Sequence, residues 1–475
     1  MAPRVLLSVP NTLSTRNLLR TGVLGQLKRA AERVILVTPF ADDPDFCREF
    51  VGDHVAVYPM PPYRPGFGER ALFSALYNLY LSGDISETLH ILLNRWADNH
   101  PRTGRLRRVA TRTLLPWARP ITPAVESVFM HLGHGGYDEL LKNEKPDVAV
   151  FSRLFFCDEI PLMRAAVRAG VSTIGAVASW DNLTNKGPLV PRLDRLIVWN
   201  ELMQAEAIRF HGYSAADVVV AGAAHHDLVF SGAGLQTGRA DFCARLGLDP
   251  AKKLITYAGE DPIIAPDTPA YIEQIHRFIQ DGRLSQPAQL LVRPHPQDDP
   301  RRFDRIRQLP GIAFDLPGRP SDRHWMDMSR DDLVHLYETL RHSDVVVNVT
   351  STIVVDAAFV DTPSICIAYG DSYPETFYNA PMRFFEMNHY RYIMDAKAAR
   401  VVTSELELCD ALNRYLEQPS LDSEGRRRLA RQIAQFDDGR CAERVATAII
   451  AAVGSGTSVD GAHSTAPAVV RERAI

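Results

Sequence analysis

The sequence predicts an α/β protein in which parallel sheets are wrapped by helices, and three observations carry that prediction. Short apolar runs alternate with helix-length amphipathic segments in both halves of the chain, the pattern of successive strand–helix units. A small, flexible stretch, Ser231 to Gly238 (SGAGLQTG), separates the halves and has the composition of an interdomain linker. The 475 residues are 46% apolar and 23% charged, with 29 Gly and 32 Pro, which is ordinary globular usage. At roughly 100 to 200 residues per domain, that length allows two to four domains.

In chain order, the strand candidates of the first half are Arg4 to Val9, Arg33 to Thr38, Asp147 to Phe151, Ser172 to Val177, Arg195 to Trp199 and Val218 to Ala221. The second half repeats the scheme, with strand-like Leu254 to Ala258, Gln289 to Val292, Asp344 to Val349 and Ser364 to Ala368. Between them Tyr271 to Gln280, Leu333 to Arg341 and Val354 to Phe359 have helical periodicity. These elements give a first domain over 1–230 and a second over 239–435. Two segments break the alternation. From about Pro61 to Gly136 only helical patches occur, which reads as an insertion, and residues 455–475 lack periodicity and are expected to form a disordered tail. Within the insertion, Pro101 to Arg119 carries six Arg with no acid between Asp98 and Glu126. Two readings stand for the Arg102 to Arg119 region. Its arginines snorkel over the first domain, or they bind anionic lipid head groups or an anionic acceptor.

Charge and cysteine usage narrow the partners. The balance of 53 Lys+Arg against 57 Asp+Glu gives −4, so no global basic field exists to hold nucleic acid by counterion release. The six cysteines form no CxxC pair and no disulfide-framework spacing, and they read as reduced thiols. The apolar run Val5 to Val9 is too short for a signal-peptide core, and no stretch approaches the ~20 residues of a membrane span. A cytoplasmic protein is expected, with any membrane contact peripheral.

Ligands of parallel α/β sheets bind outside the carboxyl ends of strands, so the residues that follow each strand carry the chemistry. After Ser172 to Val177 comes Ser179 to Gly187 (SWDNLTNKG), which places Asp181, Asn182, Thr184 and Lys186 behind Trp180. Asx turns by its Asp and Asn are the structural alternative. After Gln289 to Val292 comes Arg293-Pro294-His295-Pro296, in which two prolines hold an imidazole rigidly next to a guanidinium. That pair suits a pyrophosphate, because Arg binds phosphate oxygens bidentately and His donates or moves a proton. Capping of loop carbonyls by the histidine is the alternative. The third cluster, Asn348 to Thr352, ends a strand and opens a helix through Asp356. Thr350, Ser351 and Thr352 offer hydroxyls and backbone N–H groups to an anion, or plain N-capping. Asp356 faces a ribose hydroxyl or favours the positive helix end. Gly259-Glu260-Asp261 lets backbone approach a phosphate, although its two acids would repel one. His225-His226-Asp227 lacks further ligands at a metal-site spacing, so His226 reads as a cleft-lining polar group. GxGxxG, GxxxxGK[ST] and GxSxG are all missing.

On these residues the chain resembles the two-domain glycosyltransferase-B fold, specifically the CDP-glycerol glycerophosphotransferase and capsule-polysaccharide transferase group, with sugar-nucleotide 2-epimerases as more distant relatives. The likeness spans about residues 4–450. Trp180 to Gly187 reads WDNLTNKG against the group's WDNLT-x-KG loop. Arg293, His295 and Pro296 match its R-x-HP element, and Asp344, Ser351, Thr352 and Asp356 approximate its D-x(6)-SS-x(3)-D pattern. Thr352 replaces a Ser, and Val349 stands where an acid is common. The resemblance implies two Rossmann-like domains facing a central cleft, with the helical insertion about 61–136 in the first and a helix over 436–453 returning to it. It also implies a nucleotide-activated donor held by the second domain, where Arg293, Ser351, Thr352 and Asp356 match its motifs and Gly259 and Thr350 join them from the strand-end reading. The acceptor, a polysaccharide or lipid-linked molecule, is held by the first. No metal or other cofactor is expected, because Arg, backbone N–H groups and a helix end neutralise the leaving group. Asp181 or His295 is the expected acid or base, with Asp181 on the acceptor side. An epimerase and a non-catalytic nucleotide- or glycan-binding scaffold are the rival readings on the same architecture.

Overall fold

The structure is a computed structural model that describes residues 2–132, 136–155, 157–231, 235–296, 298–319 and 326–454. Two all-parallel sheets organise it. The first contains β1 (Arg4–Ser8), β2 (Arg33–Thr38), β3 (Val55–Pro59), β4 (Val148–Phe151), β5 (Ser172–Ala176), β6 (Arg195–Val198) and β7 (Val218–Val220), in the order β3-β2-β1-β4-β5-β6-β7. The second contains β8 (Lys253–Ala258), β9 (Ala288–Arg293), β10 (Ile312–Phe314), β11 (Val345–Asn348), β12 (Ser364–Ile367) and β13 (Arg400–Val402), in the order β10-β9-β8-β11-β12-β13. In each sheet the first strand pairs on one side with the second and on the other with the fourth, so the winding reverses there. Such a reversal opens a crevice at the strand carboxyl ends. It lies between β1 and β4 in one sheet and between β8 and β11 in the other.

Burial explains which strands the sequence reveals. Val148 to Phe151 and Val345 to Val347 are fully buried, because helices cover both faces of a parallel sheet, and they read as continuous apolar runs. Three strands escape that signal: β3, β10 and β13. Each is a sheet edge, and Ile312, Ala313 and Phe314 are only half-buried. Short edge strands need less apolar surface, and Pro59, which has no N–H, closes β3 at the sheet edge where no further strand requires one. The expected linker Ser231 to Gly238 lies partly, and the expected tail wholly, outside the described residues.

Between β3 and β4 only helices occur among the described residues, including Phe67–Leu81, Glu87–Asn99, Pro101–Val109 and Thr122–His131. Buried Arg164, from the helix Ile160–Arg168, ties this insertion to the sheet. Its guanidinium donates to Glu69 (2.7 Å) and to the Leu132 carbonyl (2.9 Å), and lies 3.9 Å over the Phe129 ring. At the other end of the chain, the helix Cys441–Ala451 packs on the helix Val23–Ala30 and shares an apolar cluster with Val5, Leu7, Val34 and Leu36. Asp227 caps it, accepting from the Cys441 and Ala442 N–H groups at 2.8 Å each. Asp227 of the HHD run is therefore a helix cap that joins chain segments far apart in sequence.

The domains meet through apolar and ionic contacts. Trp180, Leu183 and Trp199 share one buried cluster with Val354, Val355, Ala358, Tyr390 and Ile433. Beside it, Arg20 bonds Asp327 (2.6 Å) and the Met328 carbonyl (2.8 Å), and it also holds Glu49.

Candidate active site

The loop after β5 is held from three directions. Both oxygens of Asp181 are engaged: Ser179 Oγ (2.5 Å) and Asn182 Nδ2 (3.2 Å) donate to one, and Asn185 Nδ2 to the other. Thr184 is fully buried, donating to the Asp181 carbonyl (3.0 Å) while its own carbonyl accepts from Ser86 of the insertion. Gly187 adopts φ +95, and a Cβ there would lie 2.4 Å from the Tyr77 ring, so glycine is required both by the backbone and by the insertion pressed against it. Asn182 thus supports Asp181, Lys186 is exposed, and Trp180 is buried at the domain interface. The Asx-type bonding and the convergence on the interface are both present.

Across the interface the second domain contributes the helix Asn388–Ala396. His389 meets Trp180 edge-on, with ring centroids 5.7 Å apart, and Tyr392 donates to Glu206 (3.0 Å). Glu206 is buried, which pushes its pKa up to about 8, with Asp181 adding to the shift. Trp180 Nε1, His389 Nδ1, Asn185 Oδ1 and Glu206 Oε2 are buried without a protein partner. Neutral polar groups therefore surround Asp181 on the side of both domains.

On the second sheet, Gly259 brings two strand ends together. A Cβ at this position would lie 2.7 Å from the His295 nitrogen, and the Gly259 N–H donates to the Arg293 carbonyl (2.7 Å). Glu260 then reaches the opening of the helix Ile353–Phe359, accepting from the Thr350 N–H (2.6 Å) and Oγ1 (2.9 Å). Burial raises its pKa to about 7. The acid expected to repel phosphate thus occupies the Thr350 donors itself. Ser351 donates its N–H to Asn348 (3.0 Å), and Thr352 stands at the helix start with its side chain exposed. Val349, where the family pattern carries an acid, is buried in the apolar core of the second domain. An unpaired carboxylate there would be strongly disfavoured.

Arg293 is buried and paired with Asp315, which also accepts from His335 (2.9 Å). Burial would raise the Asp315 pKa, but the His335 hydrogen bond and the Arg293 charge more than offset it and hold it low. Arg293, which the sequence suggests for a pyrophosphate, thus has its charge engaged within the domain by Asp315, and Pro294-His295 continue the chain from this strand end. His295 is half-buried, and desolvation lowers its pKa toward the neutral ring. Asp181 and His295 stand at strand ends of different sheets, β5 and β9.

Asp356 accepts from Tyr337 (2.9 Å) and is pushed up to about 6 by burial, against the opposing field of Arg16. Arg16 comes from the π-helical turn Thr15–Leu19 after β1, and burial lowers its pKa while Asp356 and Tyr337 raise it. His226 is buried among Trp199 (5.3 Å), His225 (4.2 Å) and Phe359 of the second domain (4.6 Å). Burial and Arg16 push its pKa down to about 3. It is a neutral ring under the interface rather than an open cleft group. Arg16, Glu206, Tyr337 and His389 are absent from the sequence-based set. Inspection of Val9 to Arg20, the segment after the first strand, would have found Arg16; the other three sit on helices and carry no local signal.

The chain matches the family model described as CDP-Glycerol:Poly(glycerophosphate) glycerophosphotransferase over residues 177–451, more than half of its length. The chain belongs to this family. It is therefore a transferase, of a family named for moving glycerophosphate from CDP-glycerol to poly(glycerophosphate). Solved structures agree on the fold. A UDP-GlcNAc 2-epimerase from Neisseria meningitidis bound to UDP-GlcNAc has a TM-score of 0.52 at 9% identity, covering 94% of this chain and 100% of that one. A glycosyltransferase from Rickettsia africae gives 0.51 at 10% identity, covering 94% and 98%. The UDP-GlcNAc 2-epimerase from Methanocaldococcus jannaschii gives 0.51 at 12%, covering 94% and 99%. No curated protein matches the chain at the sequence level. Two Rossmann-like domains facing a cleft, the glycosyltransferase-B arrangement, are thus the fold of this glycerophosphotransferase-family chain. Among the described residues no three His, Cys, Asp or Glu side chains are grouped as metal ligands, and no helix is long and apolar enough to cross a membrane.

Proposed function

We propose that this chain transfers a glycerol-phosphate-like or glycosyl group from a nucleotide-activated donor to a polysaccharide or lipid-linked acceptor, working in the cytoplasm at the inner face of the membrane. The observation that carries the reading is that the family match includes both the Trp180 to Gly187 loop and the whole second domain. The donor lies against Gly259, His295, Ser351, Thr352 and Asp356. Arg293 acts by fixing the strand end that bears His295. In a glycerophosphate transfer, the acceptor hydroxyl attacks the donor phosphorus that carries the glycerol. The P–O bond to the nucleoside monophosphate breaks, and the hydroxyl proton passes to Asp181. Three side-chain donors already orient that carboxylate, which supports this assignment. His295, kept neutral, donates to the leaving phosphate. No metal takes part.

The test is a ligand-stabilisation panel with CMP, CDP, UDP, GDP and ADP, with Mg²⁺ and with EDTA. Ligand at 100 times its dissociation constant stabilises by about 2.7 kcal/mol. A shift selective for cytidine nucleotides and indifferent to EDTA is expected, followed by CMP release from CDP-glycerol only when acceptor is present. Selective uridine binding with conversion of a UDP-sugar in the absence of acceptor would establish the epimerase reading, which the fold neighbours favour. Binding without turnover would establish the scaffold reading, which the Glu260 carboxylate at Thr350 favours.

A further inference from the structure

The arginine-rich part of the insertion is built inside out. Its inner side packs on the helix Glu87–Asn99 through Gly104, whose Cβ position lies 2.4 Å from the Ala97 Cα. The same inner side uses up two arginines. Arg107 donates to Asn78 (2.8 Å) and lies 5.1 Å over Trp96, and Arg108 pairs with Asp98 (3.0 Å). The outer side carries large apolar residues: Trp117 is 87% exposed, Leu106 73%, Leu114 67%, Val109 58% and Ile121 53%. A helix facing water places these classes the other way round.

The backbone makes the apolar residues one ridge. Leu106 and Val109 are three apart within the helix Pro101–Val109, and Leu114, which caps the short helix Leu115–Ala118, is three before Trp117. The step of five between Val109 and Leu114 would rotate the pattern away on an α-helix. Here it is taken up by a π-helical turn, Ala110–Leu114, which uses one residue more per turn. Beside the ridge Arg102, Arg105, Arg112 and Arg119 are exposed, and the sequence has no acid from Asn99 to Val125.

We propose that this ridge is a docking surface for an anionic lipid bilayer, with Trp117, Leu114 and Leu106 entering the head-group layer and the exposed arginines meeting lipid phosphates. A contiguous exposed apolar strip flanked by one sign of charge has the chemistry of an interfacial helix. An aqueous protein partner would leave the uninterrupted positive rim unexplained. The inference is independent of the transfer reaction and is tested without it.

The full chain is sedimented with vesicles of phosphatidylcholine alone and of phosphatidylcholine with about one-third phosphatidylglycerol. It pellets with the second and not the first. Replacing Trp117→Ala and Leu114→Ala together lowers the partition coefficient about tenfold or more, even at low salt, since each side chain withdraws apolar area from water. Arg105→Glu with Arg112→Glu lowers it as well, and raised salt weakens the wild type but not that variant. Tryptophan emission shifts to the blue on binding, and the shift disappears in Trp117→Phe. All four substituted positions are exposed, so an unchanged melting midpoint certifies the fold. Absence of pelleting with either vesicle, or equal pelleting by the Trp117/Leu114 variant, overturns the proposal. A concentration-dependent dimer that this variant abolishes does so too, in favour of a second copy of the chain.

Discussion

The two sheets share one winding order, yet their third crossovers differ. From β10 to β11 the main element is a single helix, Arg330–His342, which buries Leu333, Tyr337 and Leu340 against its own sheet. From β3 to β4 the chain instead builds a set of helices whose inner members buttress the Trp180 to Gly187 loop and whose outer member shows Leu106, Leu114 and Trp117 to solvent. The common winding decides where substrates can sit, because both crevices lie at strand carboxyl ends. The unequal crossovers decide what each domain meets. In the second domain the polar groups at the crevice are mostly satisfied from within: Arg293 by Asp315, Thr350 by Glu260, Asp356 by Tyr337. In the first domain Trp180 Nε1, Asn185 Oδ1 and Glu206 Oε2 remain unpartnered at the interface.

The contrast is most sharply tested at Arg293. Because both it and Asp315 are buried, Arg293→Met leaves that carboxylate with His335 but without its guanidinium and is expected to destabilise by about 3–5 kcal/mol in denaturant unfolding. His295→Gln, at a half-buried ring, is expected to leave stability within about 1 kcal/mol while abolishing turnover. Equal stability of the two variants would remove the distinction between a residue that shapes the strand end and one that acts at it.

Next in size is Gly104→Ala. The added carbon would meet the Ala97 backbone at 2.4 Å, so the outer helix must move, at a cost of about 1–3 kcal/mol. Hydrogen exchange should quicken in 87–121 and stay unchanged in the second sheet. Loss of protection across both sheets would mean that the insertion is part of the first domain's core and not an appendage to it.

A smaller effect compares two buried acids, one on each side of the cleft. Glu206 is raised from 4.5 to about 8, and Glu260 from 4.5 to about 7. A raised carboxyl binds its proton more tightly in the folded state, so its contribution is full below pH 4.5 and is lost as pH climbs through the folded value. Stability is therefore expected to fall between pH 4.5 and 8. Glu206→Gln should flatten the upper part of that fall, and Glu260→Gln the part below about pH 7, in melting curves taken across the range. A fall of the same size in both variants would place its origin elsewhere.

These cases also separate what was legible in the sequence from what was not. The ten strands whose runs are apolar were visible, and the three edge strands β3, β10 and β13 were not, because a half-exposed strand needs no continuous apolar face. The loop Trp180 to Gly187 and the elements at Arg293 and Thr350 were visible because each follows a strand. What each side chain bonds was not: Asp315, Glu260 and Tyr337 lie 22, 90 and 19 positions from the groups they satisfy. His389 and Glu206 are brought to Trp180 only by domain packing, which no local pattern encodes. Arg102 to Arg119 was visible as charge, but the direction its apolar residues face depends on a π-turn that spacing alone does not announce.

The smallest expected effect concerns Arg112. It is exposed, so Arg112→Ala should change unfolding free energy by no more than about 0.5 kcal/mol in solution. Arg108, four positions earlier but turned inward, pairs with Asp98 and bonds the Asn94 carbonyl (3.3 Å). Arg108→Ala should therefore loosen the helix pair measurably, by about 1 kcal/mol, while leaving vesicle binding nearly intact. The two substitutions remove the same charge from the same segment and differ only in the face it occupies. Opposite rankings in a melting curve and in a vesicle titration follow if the outer face meets lipid. If both variants weaken vesicle binding alike, net charge rather than the built ridge governs the contact.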